Sequence, residues 1–158
     1  MEHVIGIGGF AVSQAPADVV KTFALSTCVG LVYYCIPKHV LGMAHIQLPN
    51  SRNMRAEDEP SRFADLAPRH LLDQMIKLGV SRNQLLVSLY GGIDGTEMDV
   101  FRIGEKNIAT VKATLKSLGL VYSDVDTGGH DSRTLVAYVA SGIVEVIKRP
   151  MRQNTMTR

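Results

Sequence analysis

The chain of 158 residues has no tryptophan, only two cysteines and no long hydrophobic run. Two cysteines, Cys28 and Cys35, are too few for the disulfide framework of a small secreted domain, so we expect two reduced thiols. No stretch approaches the roughly 20 apolar residues that span a bilayer, and the first residues lack a basic leader before an apolar segment. The sequence therefore predicts a cytoplasmic protein without membrane insertion.

Acidic residues are absent from the final eleven positions, which hold four basic residues, Lys148, Arg149, Arg152 and Arg158. Removing these four charges from the net charge of +2 leaves −2 for the rest of the chain, which excludes a nucleic-acid-binding surface on grounds of charge. A basic terminus of this kind is usually exposed and frayed, although it is also able to contact a nucleic acid or an acidic partner. We therefore predict one domain over residues 1–147 and a basic tail over residues 148–158.

A predicted β-hairpin lies near the centre of the first half of the chain. Residues 29–36 are rich in β-branched and aromatic side chains, and residues 40–48 form the returning strand after a short proline-containing turn. A two-residue turn pairs Gly30 with His45 and makes Cys28 a diagonal neighbour of His45 on the same face, some 7–8 Å away at the backbone. The hairpin therefore brings a thiol within side-chain reach of an imidazole.

Two amphipathic helices are predicted elsewhere, one ending at Leu78 and one over Gly104–Gly119. Pro68 would interrupt the first helix unless Asp65 is its N-cap, which places the proline in the first turn. Strands outnumber the helices and include two sequential hairpins, so the predicted class is α+β. Further strands are predicted at residues 4–12, with a bend at Gly8-Gly9, and at residues 84–90, 120–125, 134–139 and 143–147.

Cys28 and His45 are the residues that suggest catalysis. A thiol becomes a useful nucleophile when an imidazole takes its proton, and a hydroxyl group can orient that imidazole. Spacing alone leaves open that Cys28 is a small buried hydrophobe and that His45 is an ordinary core histidine. We expect Cys35, which lies inside the apolar strand, to be structural.

Two groups of residues suggest metal binding but lack its usual spacing. The first contains two cysteines and two histidines whose intervals differ from the tight pairs of structural zinc sites. The second contains three acidic residues on a glycine-containing loop, where solvated carboxylates are the common finding. We therefore predict no metal site from either group. The first group is Cys28, Cys35, His39 and His45, and the second is Asp94, Glu97 and Asp99.

Six short motifs occur in order along the chain: Ile5-Gly-Ile-Gly8, Thr22 to Gly30, Gly42 to Pro49, Gly91-Gly92, Ile103 to Asn107, and Asp126 to Gly129 with Arg133. Together they resemble the chemoreceptor glutamine deamidases of the CheD type, and the resemblance runs from Ile5 to about Val146. It implies Cys28 as nucleophile, His45 as base and Thr22 as the partner of the base. Ser26-Thr27 replaces the usual Gly-Ser before the cysteine, which changes the conformational freedom of the loop.

The resemblance also implies a fold and a reaction. The fold would be cysteine-hydrolase-like, with layered mixed sheets and helices packed outside. The reaction would convert glutamines on chemoreceptor cytoplasmic helices into glutamate and ammonia through a thioester, without a cofactor. Ser26 and Thr27 would belong to the substrate-binding or oxyanion loop, with backbone N–H groups near Thr27 and Cys28 binding the oxyanion. Gly91-Gly92 and Asp126 to Gly129 would shape the cleft, supported by Asn107 and Arg133.

The implied partner besides the receptor is a phosphatase of the CheC type. Two other functions remain open at this stage. One is a catalytically idle adaptor that binds this phosphatase, and the other is a thiol amidase with a different substrate. The reactivity of the Cys28 thiol separates an enzyme from an adaptor, because an activated thiol is alkylated fast at neutral pH and an inert buried one is not.

Overall fold

The structure is a computed structural model and describes residues 1–52, 58–94 and 101–151. Two β-sheets pack face to face, and two helices cover the outer side of the larger sheet. The strands are β1 Glu2–Ile5, β2 Phe10–Ser13, β3 Val19–Leu25, β4 Val29–Cys35, β5 Val40–Ile46, β6 Leu85–Gly91, β7 Ser123–Thr127, β8 Asp131–Tyr138 and β9 Val144–Pro150. The helices are α1 Ala67–Ile76 and α2 Ile103–Ser117, with 3₁₀ turns at Pro60–Arg62 and Arg82–Gln84.

Both sheets are mixed. The smaller sheet has the strand order β1-β3-β8-β9, and the larger sheet has the order β2-β5-β4-β6-β7. The pairs β1–β3 and β6–β7 are parallel, and the other neighbouring strands are antiparallel. This arrangement confirms the predicted α+β class with layered mixed sheets and outer helices.

The β4–β5 hairpin forms the middle of the larger sheet, and all seven residues of each of its strands are buried. Side chains alternate between two cores, because successive residues of a strand point to opposite faces. Leu31 and Tyr33 pack toward the helices, whereas Val32 and Tyr34 face the smaller sheet. The predicted register is confirmed, because Gly30 pairs with His45.

Gly30 lies where two leucines of the smaller sheet pack closely against the larger sheet. A Cβ at this position would lie 2.6 Å from Leu135 Cδ1 and 3.0 Å from Leu25 Cδ1. Any larger side chain would therefore push the two sheets apart beside His45, the cross-strand neighbour of Gly30. The glycine keeps the layers close where the candidate base is buried.

The two predicted helices are present. The second, predicted over residues 104–119, is α2, and the first is α1, in which Pro68 lies in the first turn as predicted. The predicted cap is wrong, because Leu66 is the N-cap residue and Asp65 accepts hydrogen bonds from the backbone N–H and the hydroxyl of Ser51. None of the described helices combines the length and apolar character needed to cross a membrane.

Several strand predictions differ from the observed strands in extent, and the strand predicted over residues 134–139 is β8, which begins at Asp131. Residues 4–12 form β1 and β2 in different sheets, because the chain turns between them with the Gly9 N–H donating to the Gly6 carbonyl at 2.9 Å. The strand predicted from residue 120 begins at Ser123. Leu120 instead packs in the core on the helix side of the larger sheet, and its N–H donates to the carbonyl of Leu115 at the end of α2.

The last strand is longer than predicted. It runs to Pro150, so Lys148 and Arg149 pair with β8 and are not part of a frayed tail. The remaining predicted tail residues Arg152 and Arg158 lie outside the described residues, as do Glu97 and Asp99 of the acidic loop. Asp94, the first acid of that loop, accepts a hydrogen bond from the Gly129 N–H at 3.3 Å.

Candidate active site

The loop that carries Cys28 connects the two sheets, since β3 belongs to the smaller sheet and β4 to the larger. Ala24 has a φ of 52°, in the left-handed region, and the pairing of β3 with β8 shifts register between Thr22 and Leu25. A bulge of this kind bends a strand and redirects the residues that follow it. It turns the chain toward the larger sheet directly after Thr22, and Cys28 then packs against the core between the sheets.

Thr22 and His45 meet in this core. Oγ1 of Thr22 lies 2.7 Å from Nδ1 of His45 and donates to the carbonyl oxygen of Ile5 at 2.9 Å. A hydroxyl has one proton, so a Thr22 hydroxyl that gives its proton to Ile5 must accept one from His45. The proton of the neutral imidazole is therefore on Nδ1, and Nε2 carries the free lone pair. This is the tautomer that a base acting through Nε2 requires.

Nε2 of His45 is buried and has no hydrogen-bond partner within the described residues. Its cross-strand neighbour is Gly30, and Cys28 lies two residues before Gly30 and packs against the same core. Cys28 is therefore at the diagonal register position to His45, and its thiol forms no hydrogen bond to Nε2 in the described part of the chain. The geometry fits a thiol that approaches the imidazole when the reaction begins.

Three successive carbonyl groups anchor the Cys28 loop to the larger sheet and to α2. The carbonyls of Ser26, Thr27 and Cys28 accept hydrogen bonds from the Ile93 N–H, Asn107 Nδ2 and the Gly92 N–H at 2.8, 2.9 and 2.8 Å. These three hydrogen bonds fix the backbone of the loop through its carbonyl groups. Neither the Thr27 nor the Cys28 N–H donates a hydrogen bond within the described residues.

Gly91 lies directly behind the Cys28 backbone. Its φ is +91°, and a Cβ there would lie 2.4 Å from the Cys28 carbonyl oxygen. Only glycine combines this backbone conformation with so close an approach. Gly91 and Gly92, which are predicted to shape the cleft, thus contact the backbone of Cys28. Gly91 packs against the Cys28 carbonyl, and the Gly92 N–H donates a hydrogen bond to it.

Burial shifts the pKa values of both reactive groups in the direction that keeps them neutral. It raises the pKa of the Cys28 thiol to about 11. It lowers the pKa of His45 to about 4, so the imidazole is unprotonated at neutral pH. The resting pair is therefore a thiol and a neutral imidazole, which is the form in which His45 can accept a proton.

Arg133, for which a supporting role at the cleft is predicted, holds the loop that follows β7. Its side chain is 2% exposed. Nη1 donates to the carbonyls of Gly128 and Asp131 at 2.6 and 2.9 Å, and Nη2 contacts Asp126 Oδ1 at 2.9 Å. The Gly128 N–H in turn donates to the Gly91 carbonyl at 2.9 Å. This guanidinium therefore connects the β7–β8 loop with the glycines behind Cys28.

The four potential Cys and His ligands are not brought together. Cys35 is buried among the residues that face the helices, where its Sγ donates to Gln84 Oε1 at 3.8 Å. His45 faces the smaller sheet, on the opposite side of the same hairpin, and His39 is exposed in its turn. Across residues 1–52, 58–94 and 101–151, no three His, Cys, Asp or Glu side chains are arranged to hold a metal ion.

Sequence reasoning missed three contributors to the site. The Ile5 carbonyl accepts the hydrogen bond that fixes the Thr22 hydroxyl, and Gly30 leaves room for the smaller sheet beside His45. The Gln47 carbonyl accepts a hydrogen bond from the same Asn107 amide that is bonded to the Cys28 loop. A glycine inside a fully buried strand is a signal that another segment approaches closely, and it could have identified Gly30. The other two act through backbone carbonyls, which carry no signal in the sequence.

Comparisons with known proteins place the chain in a family. A family model described as CheD chemotactic sensory transduction matches residues 47–148, more than half of the chain. The matched span begins after Thr22, Cys28 and His45, so the assignment of these residues depends on the geometry above and on the motifs that surround them.

Similar proteins cover nearly the whole chain. A "Probable chemoreceptor glutamine deamidase CheD 1" from Methanosarcina acetivorans is 35% identical over 139 residues, covering 88% of this chain and 87% of the relative. Relatives named "Probable chemoreceptor glutamine deamidase CheD" come from Syntrophotalea carbinolica, at 36% identity over 90% of this chain and 91% of the relative, and from Pyrococcus abyssi, at 33% over 93% and 91%. The chain therefore belongs to the CheD family of chemotactic sensory transduction proteins.

Proposed function

We propose that the protein is a glutamine deamidase that acts on the cytoplasmic helices of chemoreceptors and releases ammonia. The observation that carries this proposal is the hydrogen bond from His45 Nδ1 to Thr22 Oγ1, which leaves Nε2 as a buried base beside the Cys28 segment. The relatives named as chemoreceptor glutamine deamidases support the choice of substrate. The reaction class is hydrolysis of a side-chain amide.

The first half of the reaction forms a thioester. His45 Nε2 takes the proton of the Cys28 thiol as the sulfur attacks the amide carbon of the glutamine side chain. Negative charge develops on the amide oxygen, and we assign its stabilisation to the N–H groups of Thr27 and Cys28, which donate no other hydrogen bond within the described residues. The imidazolium then gives its proton to the departing nitrogen, so that the C–N bond breaks and ammonia leaves.

The second half regenerates the enzyme. Water attacks the thioester carbon while His45 Nε2 accepts a proton from it, and the C–S bond breaks to give glutamate. The proton on His45 returns to the sulfur, which restores the neutral pair. Thr22 keeps the Nδ1 proton in place throughout, because its hydroxyl proton is committed to Ile5. These steps use no cofactor.

A chemoreceptor fragment provides the direct test. The purified protein, incubated with the cytoplasmic helices of a receptor from the same genome, should release ammonia and convert specific glutamines to glutamates in peptide mass spectra. A Cys28→Ala variant is the matched control. Receptor glutamines that stay unchanged while the protein binds a CheC-type phosphatase would contradict the deamidase and favour the adaptor.

Thr22→Val should slow turnover by roughly tenfold to 10²-fold, because valine keeps the shape of threonine but leaves the Nδ1 proton of His45 without a partner. Thr22→Ser retains a hydroxyl and should restore most of the rate. The kcat of the three proteins on a receptor fragment gives the comparison, with thermal unfolding as the check on folding. Equal kcat in Thr22→Val and wild type would remove Thr22 from the mechanism.

A further inference from the structure

Asn107 of α2 is bonded to both segments that carry the reactive groups. Its side chain is fully buried, and Nδ2 donates to the carbonyl of Thr27 and to the carbonyl of Gln47, each at 2.9 Å. Thr27 directly precedes Cys28, and Gln47 follows His45 by two residues. One amide group therefore ties the nucleophile loop to the end of the strand that carries the base.

The orientation of this amide is fixed by its surroundings. Both partners of Nδ2 are carbonyl oxygens, which only accept, so the –NH₂ end of the amide must face them. The opposite end, Oδ1, is buried and has no hydrogen-bond partner within the described residues. A buried acceptor without a partner destabilises the fold, because it has lost its hydrogen bonds to water. An apolar side chain would have no unpaired acceptor at this position. The advantage of asparagine here is therefore the two hydrogen bonds that it donates.

The other anchors of the Cys28 loop do not reach the base. The carbonyls of Ser26 and Cys28 are held by the N–H groups of Ile93 and Gly92, which follow β6. Those two contacts fix the loop to the side of the larger sheet away from β5, because β6 and β5 lie on opposite sides of β4. In the described part of the chain, Asn107 is the side chain that hydrogen-bonds both the Cys28 loop and the segment after His45.

We propose that Asn107 is a positioning residue that sets the distance between the Cys28 thiol and His45 Nε2. It is fully buried and does not touch substrate, so it acts through the two backbone segments that it joins. The thiol and the imidazole are not hydrogen-bonded at rest, so their approach depends on how these segments are held. This inference rests on the proposed Cys28 and His45 chemistry, and a misplacement of about 1 Å is enough to cost 10²-fold in rate.

The test compares Asn107→Leu with Val111→Ala. Leucine has the same heavy-atom branching as asparagine, with two somewhat larger methyl groups in place of the amide atoms, and removes both donated hydrogen bonds together with the unpaired acceptor. Val111 is a fully buried residue one turn further along α2, and its truncation weakens the packing of the same helix without removing a hydrogen bond to either catalytic segment. The readouts are kcat and KM on a receptor fragment, and the rate of Cys28 alkylation by iodoacetamide between pH 5 and pH 10, a range set by the ordinary pKa values of His and Cys.

We expect Asn107→Leu to lower kcat by roughly 10- to 10²-fold with little change in KM, and to slow alkylation near neutral pH toward the rate of His45→Ala. Val111→Ala should keep the wild-type kcat per folded molecule and the wild-type alkylation profile. Where Asn107→Leu does not fold, Asn107→Ser is measured instead. Serine has one donor and should give a smaller loss in the same direction.

The outcomes separate this inference from the proposed function. If His45→Ala leaves deamidation and alkylation unchanged, the proposed Cys28 and His45 chemistry is wrong, and the role of Asn107 falls with it. If His45→Ala lowers both rates and a folded Asn107→Leu or Asn107→Ser lowers neither, only the positioning role is overturned. Equal losses in Asn107→Leu and Val111→Ala would also overturn it, because they would show a general effect of α2 packing.

Discussion

Replacing Cys28 with alanine should lower ammonia release from a receptor fragment by roughly 10⁴-fold or more, because no other group at the site can form the thioester. The fold should be retained. Cys28 is partly exposed, and its small side chain contributes little to the core between the sheets. Steady-state ammonia assays, with circular dichroism as the check on folding, give the comparison.

Cys35 is the matched control for this substitution. It is fully buried on the helix-facing side of the hairpin, away from Thr22 and His45. Cys35→Ala should therefore lower the free energy of unfolding by about 1 kcal/mol or more through the cavity it leaves, with activity per folded molecule unchanged. An inactive but folded Cys35→Ala beside an active Cys28→Ala would reverse the assignment.

Replacing His45 with alanine should lower kcat by roughly 10²- to 10⁴-fold, the contribution typical of a positioned general base. The thiol would then have no proton acceptor within the described site, and its pKa is raised by burial to about 11. The residual rate should depend on the small fraction of thiolate. It should therefore rise about tenfold for each pH unit until the pH reaches that value.

The pH dependence of kcat/KM in the wild-type protein should differ from that of His45→Ala. His45 accepts a proton only when unprotonated, and burial lowers its pKa from 6.5 to about 4. The acid limb of kcat/KM should therefore fall near pH 4 and belong to the coupled Cys28/His45 pair, with a plateau through neutral pH. A profile of the same shape in wild type and His45→Ala would exclude His45 as the base.

The sequence predicts well those features of the site that depend on local backbone geometry. A two-residue turn fixes the register of a hairpin, so the pairing of Gly30 with His45 followed from counting residues from Pro37-Lys38. Helix periodicity located α2 to within two residues of its ends, because its buried face repeats at helical spacing. The sheet containing the hairpin was also predictable from its apolar strands.

The contacts that complete the site depend on tertiary packing. Thr22 is on a different sheet from His45, and nothing in the sequence near residue 22 indicates that the two sheets face each other there. The division of residues 4–12 between both sheets was missed for the same reason. Asn107 is 60 residues from Gln47 and 80 from Thr27 along the chain, and its contacts are with backbone carbonyls, so no side-chain pattern reveals them.

The most direct test of the account follows the modification of each cysteine alongside the loss of activity. The protein is treated with limiting iodoacetamide, and peptide mass spectrometry gives the modified fraction of Cys28 and of Cys35 at each time point. Activity should fall in proportion to the modification of Cys28, while the buried Cys35 stays unmodified. Full activity after complete modification of Cys28, or a loss that follows Cys35 instead, would contradict the assignment of Cys28 as the nucleophile.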